Sequence, residues 1–254
     1  MTPADVVLAH ALADAAGAAI RPWFRRPFLV ETKEDFSPVT IADREAEAAI
    51  RALLAQHRPD DGVIGEEYGD DRPDAARVWV LDPIDGTRAF VAGRPIFGTL
   101  IALLEDGLPV LGLVDQCIVG DRWIGAIGQP TLFGGKPAHV RHCGSLAAAR
   151  VGTTSPHAFA AGDFTAFSRV QGAALDTLYG GDCHNYGLVA SGHLDVVVEA
   201  GLKIHDWAAL VPVVTGAGGV MTDWAGAALR QGSDGRVIAA GDVRVAEAVQ
   251  ALLA

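Results

Sequence analysis

Four short apolar runs, Val78–Leu81, Thr99–Leu104, Val110–Val114 and Trp123–Ile127, follow one another with only Gly, Pro and Asp clusters between them. Runs of this length bounded by turn residues read as buried strands, and they follow one another without long helices between them. Successive strands joined by short turns favour reversed neighbours, so a mostly antiparallel sheet is expected here. Ahead of it, Val6, Ala9, Ala13, Ala16 and Ile20 recur at helical spacing. A second helix is expected over about residues 42–56, with Ala46, Ala49, Ile50 and Leu53 on its apolar face, Arg44, Glu47 and Arg51 on the other, and Pro59 beyond its end. After Gly134-Gly135-Lys136-Pro137 the pattern changes. Helical stretches around Asn185–Ser191 and Trp207–Thr215 alternate with strand-like Val151–Thr153, Leu194–Glu199 and Val237–Ala240, before a last helix near Val243–Leu253. The chain thus reads as an α+β half, residues 1–136, and an α/β half, residues 137–254, co-packed as one unit.

A formal charge of −11 leaves no basic footprint for nucleic acid or a membrane surface, so large polyanions are poor partners. The alanine-rich N-terminus is interrupted by Asp5, His10, Asp14 and Arg21, without the basic start and unbroken apolar run of a signal peptide. No later window is apolar for long enough to span a bilayer. Cys117, Cys143 and Cys183 are odd in number and widely spaced, which suggests neither a disulfide framework nor a zinc site. A cytoplasmic location is expected.

The chemistry concentrates where Trp79-Val-Leu-Asp82-Pro83-Ile84-Asp85-Gly86-Thr87 ends an apolar strand in two aspartates. Pro83 fixes its own φ and Gly86 permits a tight turn, so the Ile84 carbonyl can face the same point as the Asp82 and Asp85 carboxylates. Oxygen donors of this kind suit Mg²⁺. The amides of Gly86 and Thr87 would open a helix and favour an anion there. The same residues also fit an ordinary turn in which Asp85 caps a helix. Two further acidic positions, Glu66-Glu67 after Ile64-Gly65 and Asp206 ahead of Trp207-Ala208-Ala209-Leu210, have equally plain alternatives as loop charges and a helix cap.

Taken in order, Gly65-Glu66-Glu67, Asp82-Pro83-Ile84-Asp85-Gly86-Thr87 and Asp206-Trp207-Ala208-Ala209 resemble the metal-binding signatures of the inositol monophosphatase-like phosphatases. The resemblance extends from Lys33 through Gly216-Ala217-Gly218-Gly219. It implies a layered αβαβα sandwich, two to three Mg²⁺ ions per site and a homodimer. Under it, Glu66, Asp82, Asp85 and Asp206, with the Ile84 carbonyl, are metal ligands, and Glu67 holds a water on the metal. Thr87 orients the attacking water with Asp43, although Thr40 and Asp43 also fit a helix capping box. Lys33 corresponds to a family lysine near the third metal. Gly86 and Thr87 face the phosphate. The implied reaction is direct attack of water on a phosphate monoester, with no covalent intermediate.

Within that family, Asp85-Gly86-Thr87-Arg88-Ala89-Phe90, Phe97-Gly98-Thr99-Leu100-Ile101-Ala102-Leu103, Tyr179-Gly180-Gly181-Asp182-Cys183 and Leu210–Gly219 are similar to the histidinol-phosphate phosphatase branch. Asp182 and Glu199 occupy positions that in the family face the non-phosphate end of the substrate, where a carboxylate pairs with an ammonium group. An inositol phosphate, a sugar bisphosphate or a nucleotide 3′-phosphate is the alternative substrate, and a non-catalytic metal-binding descendant the alternative class. His184, His193 and His205 are given no metal role, because the site is expected to be oxygen-ligated. Gly216-Ala217-Gly218-Gly219 lacks the strand-turn-helix context of a dinucleotide site. The sequence does not place Arg88 or Arg94 relative to the pocket.

Overall fold

The computed structural model describes residues 1–27, 29–32 and 38–254. The first half opens with α1 (Pro3–Ile20), the short pair β1 (Val30–Thr32) and β2 (Pro38–Thr40), and α2 (Ile41–His57). There follow β3 (Gly62–Gly65), β4 (Gly69–Asp71), β5 (Arg77–Asp85), the single-turn α3 (Thr87–Val91), β6 (Gly98–Glu105), β7 (Leu108–Gln116), β8 (Asp121–Ala126), β9 (Leu132–Phe133) and β10 (Lys136–Pro137). The second half comprises β11 (Arg150–Thr153), α4 (Ala161–Ala173), β12 (Asp176–Tyr179), α5 (Cys183–Ala190), β13 (Val196–Glu199), α6 (Ile204–Trp207) and α7 (Leu210–Gly216). It ends with β14 (Val220–Thr222), β15 (Val237–Ala240) and α8 (Val243–Leu253).

The larger sheet has the order β10-β9-β8-β7-β6-β5-β3-β4 and is antiparallel except where β3 runs parallel to β5. That parallel pair departs from a simple meander. The smaller sheet, β12-β11-β13-β15-β14, is parallel through β12-β11-β13 and antiparallel beyond. Helices α1 and α2 cover one face of the larger sheet, α5, α6 and α7 fill the space between the sheets, and α4 and α8 cover the outer face of the smaller one. This is the αβαβα layering.

Strand periodicity accounts for the layers. Along β5, Val78 and Val80 enter the core between the sheets, whereas Trp79 and Leu81 enter the core under α1 and α2. On β6, Leu100, Ala102 and Leu104 face one way and Ile101 and Leu103 the other. Successive side chains point to opposite faces, and burial on both faces explains why these strands are unbroken apolar runs rather than alternating ones. Helix α1 is long and apolar enough by composition to cross a membrane, but Leu8, Leu12, Ala16 and Ile20 are buried against α2 and the sheet.

One expected helix is divided. The stretch Trp207–Thr215 belongs to two helices, α6 and α7, because Pro212 has no N–H to continue the helical ladder. Helix α7 lies unusually close to the larger sheet. A Cβ on Gly112 of β7 would sit 1.9 Å from the Ala209 carbonyl oxygen, and one on Gly125 of β8 would sit 2.2 Å from that of Pro212. The absent side chains let the helix backbone touch the strands, which anchors the segment carrying Asp206.

Candidate active site

The end of β5 sets the first two carboxylates. Pro83 cannot donate to the ladder, and the β5–β6 register shifts between Asp82, opposite Leu100, and Asp85, opposite Gly98. The bulge is held by the Thr99 hydroxyl donating to the Pro83 carbonyl at 2.8 Å and the Ile84 N–H donating to Asp82 Oδ1 at 3.0 Å. Gly86 then takes φ +87°, and a Cβ there would lie 2.9 Å from the Asp182 carboxyl. Both the backbone angle and the packed carboxylate require glycine. Helix α3 starts at Thr87 with Gly86, not Asp85, as its cap.

Asp85 has a different partner: its Oδ2 accepts from the Cys183 N–H at 2.6 Å. Asp206 Oδ2 accepts from the Lys203 N–H at 2.6 Å at the start of α6. Asp82, Asp85 and Asp206 therefore each hold a backbone amide with one oxygen, leaving the other for the centre between them. Ligand atoms of these three lie within 4.8 Å of one another, and a second group joins Asp82 to Glu66 and His205 at the same spacing. Asp82 belongs to both groups. Burial raises the Asp82 carboxyl well above its ordinary range, and the charges of Glu66, Asp85 and Asp206 add to the effect. Asp85 is raised by burial and by Asp182 and Asp206, against the opposing Cys183 amide. Asp206 is raised by burial, with His205 and the Lys203 amide opposing. Among the described residues no lysine or arginine forms an ion pair with Asp82 or Asp85. A cluster of this kind is compensated by divalent cations, and its oxygen donors fit hard ones.

Asp43 fills both roles that the sequence allows. Its Oδ2 accepts from the Thr40 N–H at 2.9 Å and the Thr40 hydroxyl at 2.6 Å, closing the capping box of α2. Its Oδ1 lies 3.3 Å from the Thr87 hydroxyl, which also reaches the Ile84 carbonyl at 3.0 Å. Burial raises the Asp43 carboxyl despite these donors. The Glu67 carboxylate belongs to neither ligand group and is half-buried. Lys33 lies outside the described residues.

One turn beyond Asp43, Glu47 departs from the polar face of the helix on which the sequence pattern sets it, because its carboxylate is held by the Gly65–Tyr68 loop and Arg51. It is fully buried and accepts from the Glu67 N–H at 2.8 Å, the Tyr68 N–H at 3.2 Å and Arg51 Nε at 2.7 Å. A Cβ on Gly65 would lie 2.1 Å from Glu47 Oε1, so the glycine of Gly65-Glu66-Glu67 gives the carboxylate its place. Helix α2 thus fixes the Glu66 loop from one face and Thr87 from the next turn. Its position four residues after Asp43, one turn along the helix, was the available signal. Glu47→Gln puts an amide donor where the site needs acceptors, and should cost about 1–3 kcal/mol in urea unfolding.

A cavity of about 160 Å³ adjoins the carboxylate cluster and is lined by Asp85 and Asp206 together with Asp182, Glu199, Thr154 and Tyr186. Glu199 is buried, not exposed at its strand end, and accepts from the Thr154 N–H at 2.8 Å, the Thr154 hydroxyl at 2.6 Å and the Tyr186 hydroxyl at 3.2 Å. Burial nevertheless pushes its carboxyl up to about 7. Asp182, in the left-handed region at φ +46°, is pushed up to about 6 by burial, while Arg94 and Arg88 hold it down. These arginines are exposed. The structure therefore brings Asp182 and Glu199 into one cavity with Asp85 and Asp206, and it sets His205, given no metal role in the sequence reading, beside Glu66 and Asp82.

Comparison with known proteins agrees with this geometry. Residues 4–254 match the Inositol monophosphatase family. The chain is 50% identical over 219 residues to "Bifunctional phosphatase IMPL2, chloroplastic" of Arabidopsis thaliana, covering 85% of this chain and 63% of that longer relative. It is 38% identical over 247 residues to the histidinol-phosphatase of Mycobacterium tuberculosis, covering 90% of each. A solved inositol monophosphatase from Zymomonas mobilis superposes with a TM-score of 0.92 at 53% identity, covering 98% of this chain and 97% of that one. Gly216-Ala217-Gly218-Gly219, leading from α7 into β14 rather than from a strand into a helix, offers no competing dinucleotide site. The chain belongs to the inositol monophosphatase family of phosphatases.

Proposed function

We propose that the chain is a Mg²⁺-dependent phosphomonoesterase that hydrolyses histidinol phosphate to histidinol and phosphate. The observation that carries the substrate is the cavity itself: Asp85 and Asp206 of a carboxylate cluster suited to cations and phosphate line it together with Asp182 and the buried Glu199. Histidinol phosphate has a phosphate at one end and an ammonium and an imidazole at the other. An ammonium beside Glu199 and Asp182 compensates carboxylates that a neutral polyol would leave buried and poorly paired. Relatives named histidinol-phosphatase, 38% identical in Mycobacterium tuberculosis and 40% in Streptomyces coelicolor, support the reading.

Glu66, Asp82, Asp85 and Asp206 would hold the Mg²⁺ ions, with the Ile84 carbonyl beside them. Such ions supply charge compensation for the phosphate and acidify the attacking water. The protein's own groups position that water. The Thr87 hydroxyl lies between Asp43 Oδ1 and the Ile84 carbonyl, so Asp43 can receive a proton passed through Thr87. A buried carboxylate whose affinity for protons is raised suits that task. The Gly86 and Thr87 amides face the phosphate. A homodimer and a cytoplasmic location belong to the same proposal.

The 53% identity to a protein named an inositol monophosphatase favours a second reading, with inositol phosphate as substrate. Phosphate release with Mg²⁺ from histidinol phosphate, inositol 1-phosphate, fructose 1,6-bisphosphate and adenosine 3′,5′-bisphosphate separates the two. The highest kcat/KM is expected for histidinol phosphate. A preference for inositol 1-phosphate rejects the substrate assignment, and no release from any of them rejects the enzyme.

A further inference from the structure

His205 precedes Asp206 on α6, where the bond from the Lys203 amide to Asp206 Oδ2 fixes the first turn. Its side chain is only 11% exposed and does not point to solvent. One ring nitrogen lies within 4.8 Å of carboxylate oxygens of Glu66 and Asp82, which themselves meet that spacing. Three ligand atoms about 2.0–2.2 Å from a shared ion are mutually up to roughly 3.8 Å apart, so side-chain shifts of at most roughly 0.6–0.8 Å each bring all three onto one cation. The neighbouring group of Asp82, Asp85 and Asp206 offers oxygen alone. The two seats thus share Asp82 but differ in donor chemistry.

We propose that His205 supplies a nitrogen ligand to the cation held by Glu66 and Asp82, giving that seat a preference for a borderline divalent ion such as Mn²⁺ over Mg²⁺. The proposal rests on the metal-site reading above. Imidazole favours transition ions over the hard Mg²⁺, whereas the all-oxygen seat keeps the hard-ion preference. A mixed pair of seats follows from one side chain: among the described residues His205 forms a three-ligand group with Glu66 and Asp82 and none with Asp85. His205 Nε2 also lies 3.6 Å from Asp206 Oδ1, so the contrasting role for the imidazole is to orient a carboxylate without touching the ion.

The test uses the full chain without substrate, titrated calorimetrically with Mn²⁺ and separately with Mg²⁺, and then Mn²⁺-loaded for pulsed electron paramagnetic resonance. Native protein should show nitrogen hyperfine coupling to bound Mn²⁺. His205→Phe and His205→Gln should lose the coupling and weaken the tighter Mn²⁺ site about 10-fold or more, with a smaller change for Mg²⁺. The two variants guard against one that fails to fold. Mn²⁺ bound in native protein without nitrogen coupling, or an unchanged Mn²⁺-to-Mg²⁺ affinity ratio in both variants, overturns His205 as a ligand while leaving the metal site intact. Failure of native protein to bind either ion overturns the metal reading itself.

Discussion

Asp85→Asn should reduce Mg²⁺-dependent phosphate release by about 10³-fold or more and at the same time stabilise the metal-free protein. The activity loss follows from removing one charge from a centre whose function is electrostatic, where a single well-placed group is commonly worth 10²–10³ in kcat. Asparagine retains an oxygen to accept from the Cys183 amide, so the local fold survives. The stability gain follows from the same geometry. Asp85 is buried beside Asp82, Asp182 and Asp206, and its folded-state carboxyl is raised well above the unfolded value. The folded protein therefore binds more protons than the unfolded chain between those two values, and stability falls as pH rises through that window. At pH 7 in chelator the variant should melt above the parent. The difference should shrink as pH falls through that window and be gone below the unfolded carboxylate range near 4. Near-parental turnover at saturating Mg²⁺ would remove Asp85 from the centre. A lower melting temperature in chelator would mean that repulsion is not what strains this site.

The division between what was and was not legible in the sequence follows a physical line. Trp79–Asp85 carried its strand and the two aspartates at its end in a single run, because local chain chemistry, an apolar stretch followed by Asp-Pro and Asp-Gly, determines both, whereas the bulge between Asp82 and Asp85 depends on pairing with β6. The capping box at Thr40 and Asp43 was legible for the same reason. Helix α4 and strands β12 and β14 were not, since α4 buries only Ala166, Phe167 and Val170, and β12 is a largely exposed edge strand. The role of Glu47 depends on the Gly65–Tyr68 loop folding back over α2, and the environment of Glu199 on Thr154 and Tyr186, both remote in the chain. His205, given no metal role because a histidine is an unusual neighbour for an oxygen-ligated site, is brought to Glu66 and Asp82 by the packing of α6 against β5, which local sequence does not show.

Glu199→Gln should lower kcat/KM for histidinol phosphate about 10²-fold or more while altering that for inositol 1-phosphate little, since breaking a buried charge pair costs about 2–5 kcal/mol. The pH dependence makes the assignment sharper. In the free protein burial pushes the Glu199 carboxyl up to about 7, so it is partly protonated at neutral pH. An ammonium docking beside it favours the ionised form, and binding must expel the proton. KM for histidinol phosphate should therefore rise as pH falls from 8 to 6 in the parent protein. The phosphate group itself titrates near 6 in either substrate, so inositol 1-phosphate controls for that common component. Glutamine cannot ionise, and the variant should lose the excess pH dependence that histidinol phosphate shows over inositol 1-phosphate. A parental profile retained in Glu199→Gln would move the ammonium site elsewhere, and Asp182, pushed up only to about 6, is the carboxylate to which the same reasoning would pass.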